Sequence, residues 1–197
     1  MCDLVYPCHD IDAVRSRFGV AGRHFELKPS GMLGPGATLP VIRRGPAAGS
    51  RRLDLMRWGL VSAWAKDVLV VRSHIHCTEA DELAPSGHCL VPVEKFAERR
   101  IENKQPFTVA LANGEIMALA ALWRTWHSPL GERGLRFALL TTPCNEIIAA
   151  FGKRMPAILS PEDWDAWLDE TSHGVPEPQD STLLVVRPAQ AINAPSG

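Results

Sequence analysis

The stretch RMPAILSPEDWDAWL, residues 154–168, shows the clearest local structure in the chain. Ser160 is a good helix N-cap, and Pro161 suits the first helical turn that follows it. Two acidic residues in that turn favour the positive end of the helix dipole. The apolar residues then recur at helical spacing and form one stripe, comprising Trp164, Trp167 and Leu168. We therefore predict a short amphipathic helix over residues 160–170.

Most of the remaining chain has the pattern of short strands. Apolar runs rich in β-branched residues, bounded by turn residues, occur at 39–43, 51–58, 68–76, 88–96, 135–143 and 181–189. One further helix is predicted within residues 9–20, where Asp10 is the N-cap and Gly19 ends the helix. Its buried face would consist of Ile11, Val14 and Phe18.

A hairpin is predicted at PFTVALANGEIMALAALW, residues 106–123. Two apolar runs flank Asn113-Gly114, which is the strongest short-range hairpin signal. Strands dominate, helices are few, and no alternation of strands with helices appears. The expected fold class is therefore α+β with a largely antiparallel sheet.

The composition is that of an ordinary globular protein, with 46% hydrophobic and 22% charged residues among 197. This length suits one domain with a full core, so we expect a single domain over residues 1–197. A net charge of −1 argues against a generally basic nucleic-acid binder. Contacts with phosphates would need local patches, and solvated loop charge is the alternative interpretation of each. The candidate patches are Arg43 with Arg44, Arg51 with Arg52 and Arg57, and Arg99 with Arg100 and Lys104.

The five cysteines are an odd number, and the chain does not start with a charged-then-apolar signal sequence. A disulfide framework is therefore not expected, and the reducing cytoplasm is the predicted location. No apolar run approaches the ~20 residues that cross a bilayer, so no membrane partner is expected.

A metal site is a possible interpretation of SHIHCTEADELAPSGHC, residues 73–89. Structural zinc sites use ligand pairs separated by two to four residues, and the adjacent His-Cys pairs here lack that spacing. In a strand, His74 and His76 would share one face while Cys77 points to the other. We therefore predict no metal and no cofactor.

The stretch MRWGLVSAWAKD, residues 56–67, allows two interpretations. Trp58 and Trp64 are either core residues or, beside arginines, an exposed platform on which an unpaired base stacks.

Several segments, taken in order, resemble the SRAP family, the SOS-response-associated-peptidase-like proteins that shield abasic sites in DNA. The matching segments run from residue 2 to about residue 193. They are MC, MRWGLVSAWAKD, HCLVPVEKFAE, KQPFTVALANGEIMALAALW, LLTTPCNE, KRMPAILSPEDWDAWL and AIN. The resemblance implies an SRAP-like fold, with a largely antiparallel sheet or barrel flanked by a few helices.

The resemblance also implies a mechanism that uses an N-terminal cysteine. Removal of Met1 would leave Cys2 with its amine and its thiol on adjacent carbons. The amine would form an imine with the aldehyde of an opened abasic sugar, and the thiolate would then close a thiazolidine ring. Both groups suit neutral pH, since an α-amine titrates near ~8 and a thiol near ~8.5. Single-stranded or gapped DNA with abasic sites is the implied partner.

Some of the family's functional positions have matching residues in this chain. Cys2 matches the nucleophile, and Glu98 falls at the position of the family's glutamate. The DNA-facing positions implied by the resemblance are Arg57, Trp58, Gly59, Leu60 and Arg154. Possible auxiliary residues are Ser73, His74 and His76.

Other positions depart from the family pattern. Where the family usually has NARAET, this chain has SHIHCT, so that Ser73 replaces an amide and Ile75 an arginine. Gly152 stands where the family has a histidine. Two alternatives to covalent capture therefore stay open: a degenerate module that binds DNA or protein without covalent chemistry, and a thiol autopeptidase that releases Met1.

Overall fold

The computed structural model describes residues 4–21, 31–61, 71–76, 86–127, 133–171 and 176–189. Within these ranges the chain forms thirteen strands and two α-helices. The strands are β1 (Leu4–Pro7), β2 (Thr38–Arg44), β3 (Arg51–Trp58), β4 (Leu60–Val61), β5 (Val71–Arg72), β6 (His74–His76), β7 (Gly87–Arg99), β8 (Pro106–Leu111), β9 (Met117–His127), β10 (Arg133–Pro143), β11 (Arg154–Pro156), β12 (Ile158–Leu159) and β13 (Leu184–Pro188). The helices are α1 (Ile11–Phe18) and α2 (Trp164–Leu168).

Five strands close into a barrel in the order β7, β9, β10, β3, β2 and back to β7. Neighbours in this ring are antiparallel except β3 and β10, which are parallel and pair Trp58 with Phe137. Beyond Trp58, the short strand β6 continues the parallel pairing along β10. The predicted class, α+β with a largely antiparallel sheet and few helices, is confirmed.

Alternate residues along the strands fill two separate cores. Successive side chains of a strand point to opposite faces, so a continuous apolar run is buried on both sides. In β9, one set faces the inside of the barrel, which we call the barrel core: Met117, Leu119 and Ala121. The other set faces outward into a second cluster, which we call the outer core: Ala118, Ala120 and Leu122.

Helix α1 covers part of the outer core and confirms the prediction made for residues 9–20. The Asp10 carboxylate accepts hydrogen bonds from the backbone N–H groups of Asp12 and Ala13, both at 3.0 Å. Gly19 ends the helix with a φ of +61°, a left-handed conformation that favours glycine. The predicted apolar face is buried, and it consists of Ile11, Val14 and Phe18.

Helix α2 also packs on the outer core, in the position predicted for residues 160–170. It is shorter than predicted, because a 3₁₀ turn over Pro161–Asp163 precedes it and the Ser160 hydroxyl makes no capping hydrogen bond. Trp164 stacks on Phe18 with 4.3 Å between ring centroids, which joins the two helices. Neither this helix nor any other in the described part of the chain has the length and apolarity needed to cross a membrane.

The predicted hairpin between β8 and β9 is wrong. Both strands pair antiparallel with β7: Val109 lies opposite Phe96, and Met117 lies opposite Val93. They therefore run in the same direction, one after the other, along a single strand of thirteen residues. The turn around Gly114 (φ +75°) is real. It connects the strand pairing of β8 with β7 to the strand pairing of β9 with β7, and it does not reverse the chain. Pairing with one long edge outcompetes the local reversal that an Asn-Gly pair favours.

Candidate functional site

Two strands that carry candidate residues or pair with them, β7 and β10, finish at the same end of the barrel. We call this the site end. Glu98 is the next-to-last residue of β7. On β6, His74 pairs with Leu139 of β10, and His76 pairs with Thr141. Because β7 and β10 both pair antiparallel with β9, they run in the same direction and their last residues lie towards the same end of the barrel.

Glu98 is a buried carboxylic acid that lies opposite an aromatic ring, and the Arg100 guanidinium lies over that same ring at 5.0 Å. Glu98 is 4% exposed, and it lies opposite Phe107 in the β7–β8 pair. Two residues earlier, Phe96 belongs to the barrel core, so Glu98 faces the same side. The ring of Phe107 packs on that of Phe151, with 5.2 Å between centroids. A carboxyl group removed from water in this way is expensive to bury and is a candidate for proton transfer.

Ser73 and His74 form a hydrogen-bonded pair beside Trp58. The Ser73 hydroxyl and the His74 Nδ1 atom are 3.0 Å apart, and the His74 tautomer decides which of them donates. The indole N–H of Trp58 donates to the Ser73 carbonyl at 2.8 Å. The His74 ring meets Trp58 edge-on, at 5.6 Å between centroids. The buried indole therefore fixes a hydroxyl–imidazole pair that is able to relay a proton.

Arg154 is held at the site end by neutral oxygens. Its Nε donates to the Thr141 hydroxyl oxygen at 2.9 Å, and its Nη2 donates to the same oxygen and to the Thr141 carbonyl. The Thr141 hydroxyl in turn donates to the carbonyl of Ile75 at 3.0 Å. Among described residues, no carboxylate pairs with this guanidinium and its Nη1 makes no hydrogen bond. It is thus oriented and able to receive an anion.

Thr141 was missed in the sequence analysis, although it positions Arg154. It is 2% exposed, and Thr142, which follows it, is fully buried. Two consecutive hydroxyl residues at the end of an apolar strand were the available signal. A buried threonine in such a strand needs a hydrogen-bond partner, which points to a polar neighbour from elsewhere in the chain.

The interpretation of Trp58 as an exposed stacking platform is wrong. Trp58 is fully buried in the barrel core, where it lies nearly parallel to Phe137 at 6.2 Å between centroids. Gly59 donates its N–H to the Phe137 carbonyl at 2.7 Å, and Leu60 is 7% exposed in the outer core. Closure of the barrel therefore turns this stretch inward. Its neighbour Arg57 is exposed and donates from Nε to the Gly36 carbonyl at 3.0 Å.

Two of the cysteines are buried thiols of low reactivity. Burial raises the pKa of Cys8, and complete burial raises the pKa of Cys89 well above its usual value. A thiol that stays protonated is a poor nucleophile. Cys89 donates to the Ala121 carbonyl at 3.4 Å, and His88 stacks on Trp167 at 4.0 Å. Core packing and local hydrogen bonds thus explain the presence of His88 and Cys89 at these positions.

Cys2, Trp64 and Cys77 lie outside the described residues. The first described residue after Cys2 in the sequence is Leu4, which pairs with Ala97 of β7. Ala97 precedes Glu98, so strand β1 starts at the site end.

The sequence match to a family model identifies the family of this chain. The chain belongs to the SRAP family, since the family described as "SOS response associated peptidase (SRAP)" matches residues 1–194. The resemblance noted from the sequence is therefore confirmed.

Individual relatives carry names that refer to abasic sites. The chain is 30% identical over 157 residues to the abasic site processing protein YoqW of Bacillus subtilis, covering 73% of this chain and 68% of that protein. It is 29% identical over 156 residues to the abasic site processing protein YoaM of the same organism, covering 73% of this chain and 67% of YoaM. It is 23% identical to the abasic site processing protein HMCES of Gallus gallus, covering 86% of this chain and 61% of that protein.

Solved structures share the fold at lower identity. A crystal structure of a Bacteroides thetaiotaomicron protein superimposes with a TM-score of 0.83 at 19% identity, covering 96% of this chain and 92% of that one. A Bordetella bronchiseptica protein gives a TM-score of 0.82 at 18% identity, covering 96% of this chain and all of that one.

Proposed function

We propose that this protein binds DNA at abasic sites and captures the opened sugar covalently through Cys2, after removal of Met1. The observation that carries this proposal is the pairing of Leu4 with Ala97, next to Glu98. Leu4 is the first residue that the structure describes, and Cys2 is two residues before it in the chain. The names of the relatives supply the substrate class.

The proposed reaction needs no cofactor and balances without redox chemistry. The amine nitrogen of Cys2 attacks the aldehyde carbon of the opened sugar, and loss of one water gives an imine. The sulfur then adds to the imine carbon, and the thiol proton passes to the nitrogen. The product is a five-membered ring that contains both atoms. Only the amine and the thiol of one residue form bonds to the DNA.

Glu98 is proposed as the group that moves protons during these steps. Loss of water from the first adduct requires a proton donor, and attack by the thiol requires an acceptor. One carboxyl group can donate a proton in the first step and accept one in the next. The Ser73–His74 pair, on the same end of the barrel, is the second candidate for proton transfer.

Arg154 and Arg57 are proposed to contact phosphates. Arg154 presents a guanidinium that neutral oxygens already orient, so little side-chain freedom is lost when an anion binds. Arg57 is exposed at the end of β3. Guanidinium groups bind phosphate through two parallel hydrogen bonds, which makes arginine well suited to this task.

Binding of DNA without the covalent step is the second candidate function. Ile75, at the position where the family has an arginine, is 1% exposed in the outer core and offers no charge. Gly152 has no side chain to replace the family's histidine. The change at Gly152 removes a proton-transfer group and so weakens the covalent step, whereas the change at Ile75 removes a positive charge and weakens binding.

A denaturing gel with abasic single-stranded DNA tests the proposal. Protein whose intact mass shows loss of Met1 is expected to give a shifted band that disappears in Cys2→Ala and persists in Cys8→Ala. Cys8→Ala is the matched control, because it removes a thiol that is buried elsewhere. No shifted band from verified protein that still binds the DNA would favour the non-covalent module. A band that survives Cys2→Ala would assign the linkage to another residue, such as Lys104 or Lys153.

A further inference from the structure

Two consecutive arginines follow Glu98 at the end of β7, and their side chains lie on opposite faces of the sheet. Arg99 is exposed and donates from Nη1 to the carbonyl of Lys104 at 3.4 Å. Arg100 is half-buried, and its backbone N–H donates to the Gln105 carbonyl at 2.9 Å, which extends the β7–β8 ladder by one residue. Since side chains alternate along a strand, Arg100 lies on the same face as Glu98.

The Arg100 guanidinium lies against two buried aromatic rings. Its central carbon is 5.0 Å from the centroid of the Phe107 ring and 5.7 Å from that of the Phe151 ring. Phe107 is the residue directly opposite Glu98 in the β7–β8 pair. A cation over an aromatic face is attracted by the negative charge of that face. The two rings therefore hold the positive charge on the side of β7 that carries Glu98.

The backbone around Arg100 is also fixed on both sides. Lys104 donates its N–H to the Arg100 carbonyl at 2.9 Å, and Ile101 donates its N–H to the Ala150 carbonyl at 3.0 Å. The second bond ties the end of β7 to the turn that carries Phe151. No carboxylate in the described part of the chain forms an ion pair with Arg100, and its buried Nε has no hydrogen-bond partner there. The charge is thus fixed in place without being neutralised.

Glu98 and Arg100 are close enough for the charge of one to affect the protonation of the other. Residues two positions apart on the same face of a strand are separated by about 7 Å. Burial by itself favours the neutral form of a carboxyl group, whereas a nearby positive charge favours the ionised form. Because buried rings occupy the space beside both residues, water screens this attraction less than it would at an exposed surface.

The other charges near Glu98 are exposed or face another direction. The elements packed beside it are β8, the described part of β1 and the turn over residues 145–153. On β1, Tyr6 lies opposite Lys95, on the other face of β7. The charged residues of the turn and of the β7–β8 loop, together with the neighbouring arginine, are all exposed: Arg99, Glu102, Lys104, Glu146 and Lys153. Arg154 is bound to Thr141 of β10. Among the described charges of these segments, Arg100 is held against buried rings on the side of Glu98.

We propose that Arg100 is a positioning residue for Glu98 and that its charge keeps the carboxyl group ionised until the Cys2 amine attacks the sugar. This inference rests on the role proposed above for Glu98. An ionised Glu98 takes a proton from the ammonium group of Cys2, whose nitrogen must lose it before it attacks. The same proton returns to the hydroxyl group that departs as water, and the carboxylate then accepts the thiol proton when sulfur adds.

The test follows the titration of Glu98 directly and compares Arg100→Met with Arg99→Met. Both variants remove one positive charge and leave an unbranched side chain, but only Arg100 lies on the face of Glu98. The Glu98 carboxyl carbon is observed by NMR in protein isotopically labelled at glutamate, and it is assigned by its absence from Glu98→Gln. We expect the titration midpoint to rise by about one pH unit in Arg100→Met and to stay near the parent in Arg99→Met. Arg100→Lys should restore most of the shift.

The pH dependence of crosslinking provides a second measurement. The acidic limb of the rate should move upward in Arg100→Met together with the NMR midpoint. In the Glu98→Gln background, the same substitution should leave the pH dependence unchanged, because the group that it acts on is gone. A purely structural role of Arg100 would instead lower the melting temperature and leave the pH dependence of the rate where it is in the parent, which would overturn the inference.

The outcomes separate this inference from the proposed function. Equal midpoints in the parent, Arg100→Met and Arg99→Met would overturn the inference, whether or not crosslinking occurs. An equal rise in both arginine variants would also overturn it, because net charge alone would explain the shift. A rise confined to Arg100→Met, with the acidic limb moved by the same amount, would support both proposals. A rise confined to Arg100→Met in a protein that never crosslinks would overturn the covalent function and support the electrostatic link between Arg100 and Glu98.

Discussion

The two ends of the barrel hold their charged side chains in opposite ways. At the end away from the site, which we call the closed end, Asp54 is 8% exposed and accepts hydrogen bonds from Arg43 and Arg52, each at 2.6 Å. The Arg43 guanidinium also lies over the Trp123 ring at 4.5 Å. At the site end, Glu98 is buried opposite Phe107, and neutral oxygens of Thr141 hold Arg154.

We interpret this difference as a division between charges that stabilise the fold and charges that are available to the proposed ligand. A buried ion pair offsets part of its desolvation cost through mutual attraction, and it needs nothing from outside. An arginine bound only to neutral oxygens keeps its full charge. Stability should therefore depend on the closed end, and binding and chemistry on the site end.

The largest effect is expected at Glu98. Replacement by Gln keeps the shape and removes proton transfer, a contribution typically worth ~10²–10⁴-fold in rate. Because Gln has nearly the same size and keeps one of the two oxygens, the melting temperature should change little. Single-turnover crosslinking to abasic DNA and a thermal melt of the same preparation measure both quantities. An unchanged rate, or a clear loss of stability, would break the comparison between the two ends.

Asp54→Ala is expected to lower the stability of the fold and to leave the crosslinking rate unchanged, which is the reverse of the effect of Glu98→Gln. It leaves Arg43 and Arg52 without their shared carboxylate, and Arg52 is already 46% exposed. We expect a loss of roughly 1–3 kcal/mol in the free energy of unfolding, between the values for exposed and buried pairs. Urea denaturation measures this free energy. The control is Asp12→Ala, which removes a surface ion pair with Arg15 at 3.9 Å and should cost less stability. Crosslinking by the folded variant should match the parent.

A smaller effect is expected for Arg154→Lys. Lysine cannot donate to both Thr141 oxygens while it presents a further planar N–H to a phosphate. DNA affinity should fall about 3- to 10-fold, with the salt slope little changed because the charge remains. Anisotropy at two salt concentrations checks this, and Thr141→Val should act in the same direction. Unaltered affinity in both variants would remove Arg154 from the binding surface.

The smallest effect concerns the ion pairs beside the closed end. Hydrogen bonds from Arg51, and then from Arg44, lower the pKa of Asp165. A depressed pKa in the folded protein means that these pairs stabilise it at neutral pH and lose that contribution below about pH 4. Asp165 is 62% exposed, so the contribution should be only a few tenths of a kcal/mol. Melting curves from pH 7 to 3 should show a shallower decline for Asp165→Asn than for the parent.

Local features of the fold were predictable because their causes are local. Asp10 starts α1 through side-chain hydrogen bonds to the first turn, and Gly19 ends it through a left-handed backbone conformation. Both effects involve only a few neighbouring residues. The stripe of α2 was recognisable from its spacing alone. The Asn-Gly turn was also real, but its consequence was not predictable, because β7 lies elsewhere in the sequence and offers an edge long enough for both β8 and β9.

The candidate site was predictable as a set of residues but not as an arrangement. Glu98, His74 and Arg154 were identified through the family resemblance, whereas Thr141, which holds Arg154, was not. The alignment of three arginines on adjacent strands was missed for a similar reason. Arg57, Arg124 and Arg136 are far apart in the chain, and only strand register places them in one line.

Family membership, strand-rich character, the existence of both helices and the bounds of α1 were thus determined by the sequence itself, through short-range patterns and motif order. Whether Trp58 faces solvent or the core, and which arginines meet a carboxylate, was decided only in the tertiary structure. The physical reason is that each outcome depends on barrel closure. Closure pairs residues separated by tens of positions, and a single step in register would move every side chain of a strand to the other face.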